Sequence, residues 1–260
     1  MIDIGANLCH DSFDKDREAV LERARSTGVC AIIVTGSDRQ SSRDALALAR
    51  QYPGYLYATA GIHPHRAEET DEEALDELRE LAAALEVRAI GEMGLDFFRD
   101  FSPRDTQIQA FECQLELAAA LGMPAFLHQR DAHDSFLPVL KAWRDRLPAA
   151  VVHCFTGTRE ELHDYLDLDL YIGLTGWFCD ERRGRHLHEL VEDIPSDRLM
   201  IETDAPYLLP RDLKPKPSTR RNEPRHLPHI AEAIARAREE DTESFARQTT
   251  ENARRFFDIG

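Results

Sequence analysis

Eight short apolar runs alternate with helical patterns along nearly the whole chain, and this alternation limits the possible folds more than any other feature. The runs are Ile2–Gly5, Cys30–Thr35, Tyr55–Ala60, Ala89–Gly91, Ala125–Leu127, Ala150–His153, Leu170–Gly173 and Leu199–Ile201. Helical spacing is read over Lys15–Ser26, Ser41–Gln51, Asp71–Leu85, Arg104–Leu121, Ala132–Asp145, Arg159–Asp167 and Arg183–Glu192. Two further helices, Pro228–Glu239 and Thr242–Phe257, close the chain. In Arg104–Leu121 the period is plain, with Ile108, Phe111, Leu115 and Ala118 on one face. Strand–helix alternation calls for a parallel sheet covered by helices, and eight units is the number that closes a barrel. The expected fold class is therefore α/β, a TIM-type (β/α)8 barrel forming one domain over residues 1–260. An open doubly wound sheet is the competing architecture. Its dinucleotide-binding version lacks support, because no G-x-G-x-x-G follows the first run.

In a parallel α/β protein the strand ends carry chemistry, because the strands themselves are covered. The ends here are rich in acids and imidazoles. Asp3, Asn7 and His10 accompany the first run, and Gly61-Ile62-His63-Pro64-His65 follows the third. Glu92 follows the fourth, flanked by Gly91 and Gly94, with Asp96 behind it. His128 terminates P-A-F-L-H, His153 terminates A-V-V-H, and Glu202-Thr203-Asp204 follows the eighth run. A single His at such a place is more often a hydrogen-bonded core residue than a ligand. Four imidazoles and carboxylates at corresponding ends of four strands are harder to explain by packing. Glu92, His128, His153 and Asp204 are the expected metal ligands, a donor set suited to a divalent ion with open positions. Such an ion lowers the pKa of a coordinated water and neutralises charge on a phosphoryl or carbonyl oxygen. Glu92 could bridge a second ion, and Asp204 is best placed both to hold metal and to take a proton.

Other chemistries find less support. No G-x-S-x-G elbow is present for Ser/His/Asp catalysis. Cys154 and His153 are chain neighbours, which point to opposite faces of a strand. The five cysteines are scattered and odd in number, without C-x-x-C, so a disulfide framework is not expected and a reducing, cytoplasmic setting is. No apolar run is long enough for a membrane span, and the N-terminus does not read as a signal peptide.

The net charge of −16 makes general polyanion binding unfavourable. Its distribution is uneven, however. Arg211–Arg225 holds six basic residues, among them Arg211 and Arg221, against two acidic ones, and Arg182, Arg183 and Arg185 form a second cluster. Such patches steer a polyanion to one place, or are simply solvated loops. Trp143 and Trp177 read as packing residues, with Trp177 also a possible stacking platform for a base.

Taken in order, GIHPH, GEMGLDFFRDFS, FLHQRDAH, VVHCFTGTREE, YIGLTGWFCDERRG, IETDAPYLLPRDLKPKPSTRRNEPRHLPHI and TTENARRFF resemble the TatD family of metal-dependent deoxyribonucleases. The resemblance runs from about Asp3 to Phe257. It implies an amidohydrolase-like barrel and metal-dependent 3′–5′ exonuclease action on single-stranded DNA or RNA in the cytoplasm. It implies Glu92, His128 and His153 as metal ligands and Asp204 as the acidic metal-site residue and base. It places His63 near the scissile phosphate and His65 beside it, and suggests a phosphate contact for Arg130. Many relatives open with D-x-H-x-H, whereas this chain has Gly5 and Asn7 in place of the two histidines. With fewer imidazoles and more oxygen, the site should favour Mg²⁺ or Mn²⁺ over Zn²⁺, as one or two ions. Nothing in the chain demands more than a monomer, and no membrane partner is expected. Two other readings stay open: a hydrolase of the same fold acting on an ester or amide, such as an aminoacyl-tRNA, and an interaction protein that has lost its metal.

Overall fold

The computed structural model describes all residues, Met1–Gly260. Its eight strands are β1 (Ile2–Ala6), β2 (Ala31–Val34), β3 (Leu56–Ala60), β4 (Val87–Asp96), β5 (Ala125–Arg130), β6 (Ala150–Val152), β7 (Tyr171–Leu174) and β8 (Leu199–Ile201). They form one sheet in the order β1 to β8, and the ladders between neighbours are parallel. Ala6 at the end of β1 also bridges Ala205 beyond β8, so the first strand adjoins the chain leaving the last. This is the connectivity of a (β/α)8 barrel. The helices are α1 (Arg17–Ser26), α2 (Arg39–Gln51), α3 (Glu72–Ala82), α4 (Arg104–Leu121), α5 (His133–Trp143), α6 (Arg159–Asp167), α7 (Leu187–Leu190), α8 (Leu227–Ala237) and α9 (Thr242–Phe257). None of them is long and apolar enough to cross a membrane.

Backbone contacts sort the chain into two units: Met1–Val34 with Cys154–Thr156 and Ile172–Gly260, and Thr35–His153 with Gly157–Tyr171. In the first, β1 pairs with β2 and β7 with β8. Asn252 on α9 donates to the carbonyls of Ser196 and Leu199, each at 2.8 Å, which fixes that helix to the start of β8. In the second, β3 to β6 form the ladder. Three of its helices, α2, α3 and α6, start on side-chain caps. Asp38 accepts from Ser41 N at 2.7 Å, and Thr158 and Glu161 exchange a capping box at the start of α6. α4 ends on Gly122, which takes the left-handed conformation that a helix C-terminus requires.

Two expectations need correction. The fourth strand does not stop at Gly91 but runs on to Asp96. Between Ile90 and Met93 its register against β5 slips, with two residues, Gly91 and Glu92, facing the single Phe126. An extra residue of this kind bends a strand and re-aims the side chain beside it. Gly91 (φ 142°) and Gly94 (φ 144°) adopt conformations that L side chains rarely take, and a Cβ at either would strike the β5 backbone. These glycines allow close strand approach. The helix expected over Arg183–Glu192 is only α7, Leu187–Leu190, followed by a 3-10 turn. Asp180 explains the shortening. Its carboxylate accepts from Arg182 N at 2.9 Å and its carbonyl from Gly184 N at 2.8 Å, so the chain is held in a turn where the helix would start.

Candidate metal centre

Glu92 sits at the bulge of β4, with its backbone N donating to Gly36 O at 2.8 Å. Its side chain is buried, and three imidazoles converge on one oxygen. His153 Nε2 lies 2.7 Å from Oε1, His128 Nδ1 2.9 Å and His63 Nε2 3.3 Å. Burial pushes the Glu92 carboxyl up, but His153 and His63, with hydrogen bonds from His128 and His153, bring it well below the usual range. Glu92 is therefore a buried carboxylate.

Each imidazole is oriented by a partner of its own. His63 follows β3 and caps the 3-10 helix Pro64–Glu69, its Nδ1 accepting from His65 N at 3.1 Å. An accepting Nδ1 carries no proton, so Nε2 carries it and points it at Glu92. Burial pushes the His63 pKa down to about 4, against the opposing pull of Glu92, so the ring is a neutral donor at pH 7. The loop that presents it is fixed by buried Gln114 on α4, which accepts from Ile62 N at 2.7 Å and donates to Ile62 O at 2.9 Å. His128 lies within β5 and turns Nε2 toward Asp96 Oδ2 at 3.4 Å. Burial would lower its pKa, but Asp96 and Glu92 outweigh burial and raise it. His153, just beyond β6, stacks on Phe126 with ring centroids 4.7 Å apart.

Sequence reasoning missed the role of Asp96. It lies four residues beyond Glu92 on the same strand and is buried. Oδ2 accepts from His65 Nε2 at 2.8 Å and faces His128, while Oδ1 accepts from Phe98 N at 3.1 Å and Arg99 N at 2.8 Å. Burial raises the Asp96 pKa, but the hydrogen bonds from His128 and His65 take it far below the usual range. Gln107 on α4 accepts from Asp96 N at 2.9 Å and donates to Ser102 O at 2.8 Å, so α4 positions this loop as well. The usable signal was strand alternation, which puts positions 92 and 96 on one face.

The donor set fits a divalent cation. His128 faces a carboxylate at each ring nitrogen, Asp96 at Nε2 and Glu92 at Nδ1, which favours a proton on both; a cation between Nδ1 and Glu92 would take the place of the second proton. One carboxylate oxygen has too few lone pairs for three good hydrogen bonds. Candidate ligand atoms of Glu92 and His128 lie within 4.8 Å of each other and of the His63 ring, whose own nitrogens are engaged by His65 N and Glu92.

The rim carries two exposed phenyl rings, Phe98 and Phe101, on the loop leaving β4. Phe101 is 4.8 Å from the His65 ring, and the Arg130 guanidinium lies 4.2 Å over Phe98.

The remaining expected residues belong to the other unit. Asp204 follows β8, with its N donating to Gly5 O at 2.8 Å and its Oδ1 accepting from Asn7 Nδ2 at 2.9 Å. The amide at position 7 thus orients this carboxylate. Buried Asp3 accepts from Thr203 N at 2.9 Å and Thr203 Oγ1 at 2.6 Å, and burial pushes its carboxyl up to about 8. Among the basic residues, Arg182 bonds to Asp180 and Arg211 to Glu181, while Arg183 lies 5.5 Å over the face of Trp177. Arg221 is committed to structure. It donates to Ser12 O, to both oxygens of Asp16 and to Glu223, at 2.6–2.9 Å. Four of its five N–H groups are used in this way, so this member of the basic stretch serves as an internal clamp. Lys214, Lys216 and Arg220, by contrast, are exposed.

A family profile described as TatD-related DNase matches residues 2–258. A protein of Erwinia billingiae described as 3′-5′ ssDNA/RNA exonuclease TatD is 54% identical over 257 residues, covering 99% of this chain and 98% of that protein. A hydrolase of the TatD family from Entamoeba histolytica superposes with a TM-score of 0.91 at 29% identity, covering 100% of this chain and 98% of its own. An uncharacterized amidohydrolase from Saccharomyces cerevisiae shares the fold, with a TM-score of 0.85 at 23% identity, covering 98% of this chain and 99% of its own.

Proposed function

The chain belongs to the TatD-related DNase family, and from that premise we propose that it is a metal-dependent 3′–5′ exonuclease of single-stranded DNA and RNA. The observation that carries the reading is the convergence of His63, His128 and His153 on Glu92 Oε1. Glu92, His128 and His153 are the proposed ligands, and Asp204 the proposed acidic metal-site residue. A mixed oxygen and imidazole set suits Mg²⁺ or Mn²⁺. When bound, the ion activates water and neutralises phosphoryl charge.

The chain's own residues do the rest. Asp96 fixes the His128 tautomer so that Nδ1 presents a lone pair. His63, neutral with its proton on Nε2, donates to a non-bridging phosphate oxygen. Asp204, oriented by Asn7, accepts the proton of the attacking water. Phe98 and Phe101 offer faces for base stacking, which is tolerant of sequence and suits single strands. Arg130, beside Phe98, supplies positive charge for the backbone. His65, bonded to Asp96, lines the same approach.

The test is digestion of 3′-labelled and 5′-labelled single strands with Mg²⁺, Mn²⁺, Zn²⁺ or chelator. The 5′-labelled strand should give a descending ladder, the 3′-labelled strand should release labelled mononucleotide at once, and chelator should abolish both. Hydrolysis of an aminoacyl ester without phosphodiester cleavage would instead support the ester or amide reading.

A further inference from the structure

A second set of ligand-type side chains meets outside the His/Glu cluster. Cys179 Sγ, a carboxylate oxygen of Asp212 and a ring nitrogen of His229 all lie within 4.8 Å of one another. They come from three separate pieces of chain: the 3-10 turn Gly176–Cys179, the stretch between β8 and α8, and the first turn of α8. His229 Nε2 is 2.7 Å from Asp212 Oδ1. A cavity of about 580 Å³, lined by Cys179, Asp212, Glu181 and His188 among others, opens onto the group.

The chemistry narrows the use of such a trio. Burial, aided by the Asp212 charge, pushes the Cys179 thiol up to about 12, so this is not an activated nucleophile. A carboxylate beside a buried thiol opposes thiolate formation, and a bound cation reverses the sign of that arrangement. Thiolate, imidazole and carboxylate on one ion is a zinc-type donor set, unlike the sulfur-free Glu92 cluster. Around a tetrahedral ion such atoms stand roughly 3.3–3.6 Å apart. With all three atoms within 4.8 Å and the His229–Asp212 pair at 2.7 Å, the group is near that spacing, and an ion would have to open that pair.

We propose that Cys179, Asp212 and His229 form a second divalent-metal site, of zinc type, with water from the adjoining cavity completing the shell. The ion displaces the thiol proton on binding. It ties the stretch bearing Arg211, Lys214 and Lys216 to α8 and to the turn after β7. The site stands independently of the exonuclease reading.

Metal-stripped full-length protein titrated with Co²⁺ tests it, because a cobalt–thiolate bond gives a near-ultraviolet charge-transfer band that imidazole and carboxylate do not. The wild type and Glu92→Gln should both show the band, and Cys179→Ser should lose it. After Zn²⁺ loading and desalting, the wild type should retain one more equivalent of zinc than Cys179→Ser. Asp212→Asn and His229→Gln replace partly exposed side chains, so folding should tolerate them, and each should lose the same equivalent. No band in the wild type, a band surviving Cys179→Ser, or unchanged zinc content in the Asp212 and His229 variants would overturn the proposal.

Discussion

Replacing Asp96 by Asn changes one atom and should weaken the metal centre substantially. The carboxylate holds the Nε2–H groups of His65 and His128, at 2.8 and 3.4 Å, and so leaves His128 Nδ1 as the nitrogen that gives up its proton to face an ion at Glu92. An amide can still accept from Phe98 N and Arg99 N through its oxygen. Its NH₂ group then meets two N–H donors. His128 relieves the clash by moving its proton to Nδ1, which blocks the nitrogen meant for the ion. Loss of a partner of this kind costs about 10–100-fold in metal affinity. That is about 1.4–2.7 kcal/mol. The figure agrees with the roughly 1.5–3 kcal/mol assigned to a hydrogen bond with a charged group. Calorimetric titration with Mn²⁺, together with the Mn²⁺ concentration giving half-maximal nuclease activity, reads the effect. Both values should shift upward together while the melting temperature in chelator changes little. Unchanged Mn²⁺ affinity in a folded Asp96→Asn protein would refute the tautomer argument.

Three further outcomes follow from the same structure. Arg221→Met removes a clamp on Asp16, Glu223 and Ser12, and should cost about 2–3 kcal/mol, seen as a lower urea midpoint with KM for single-stranded DNA nearly unchanged. A steep rise in KM without loss of stability would return Arg221 to the substrate. Burial, reinforced by Arg225, pushes the His226 pKa down to about 4, so the unfolded chain binds more protons than the folded one between pH 4 and about 6.5. Its contribution is thus complete above pH 6.5 and lost as pH falls through 4, at most about 3 kcal/mol. Urea midpoints of His226→Gln should therefore fall less steeply with acid than the wild type, and parallel curves would contradict this. Gly91→Ala puts a methyl group into the Phe126 backbone at φ 142°, and should disturb the bulge that aims Glu92, abolishing activity and lowering the melting point. A fully active Gly91→Ala protein would show that the bulge is not needed.

Much of this was legible in the sequence, for identifiable reasons. All eight strands and nearly all the helices follow from hydrophobic period, because burial on the sheet faces leaves a strong pattern. Glu92, His128 and His153 were legible because each interrupts or ends an apolar run with a polar group. The extent of β4 was not, since Gly91 and Gly94 signal a turn equally well, and only the slipped register against β5 shows a bulge. Asp96 stands among the strand-end acids, but its role is hidden for the same reason, because a strand ending at Gly91 would not carry it on the Glu92 face. Charge counts misjudged Arg221, because composition does not reveal that Asp16, distant in sequence, closes on its guanidinium. The grouping of Cys179, Asp212 and His229 lay equally out of reach, because only tertiary structure brings those three segments together.

The central claim is that the imidazoles gathered on Glu92 are built to hold an ion. Anomalous scattering from crystals soaked in Mn²⁺ tests it most directly. The account predicts a peak about 2.0–2.3 Å from Glu92 Oε1 and from a ring nitrogen of His128 or His153. Manganese bound elsewhere, with Glu92 still hydrogen-bonded to bare imidazoles, would contradict it.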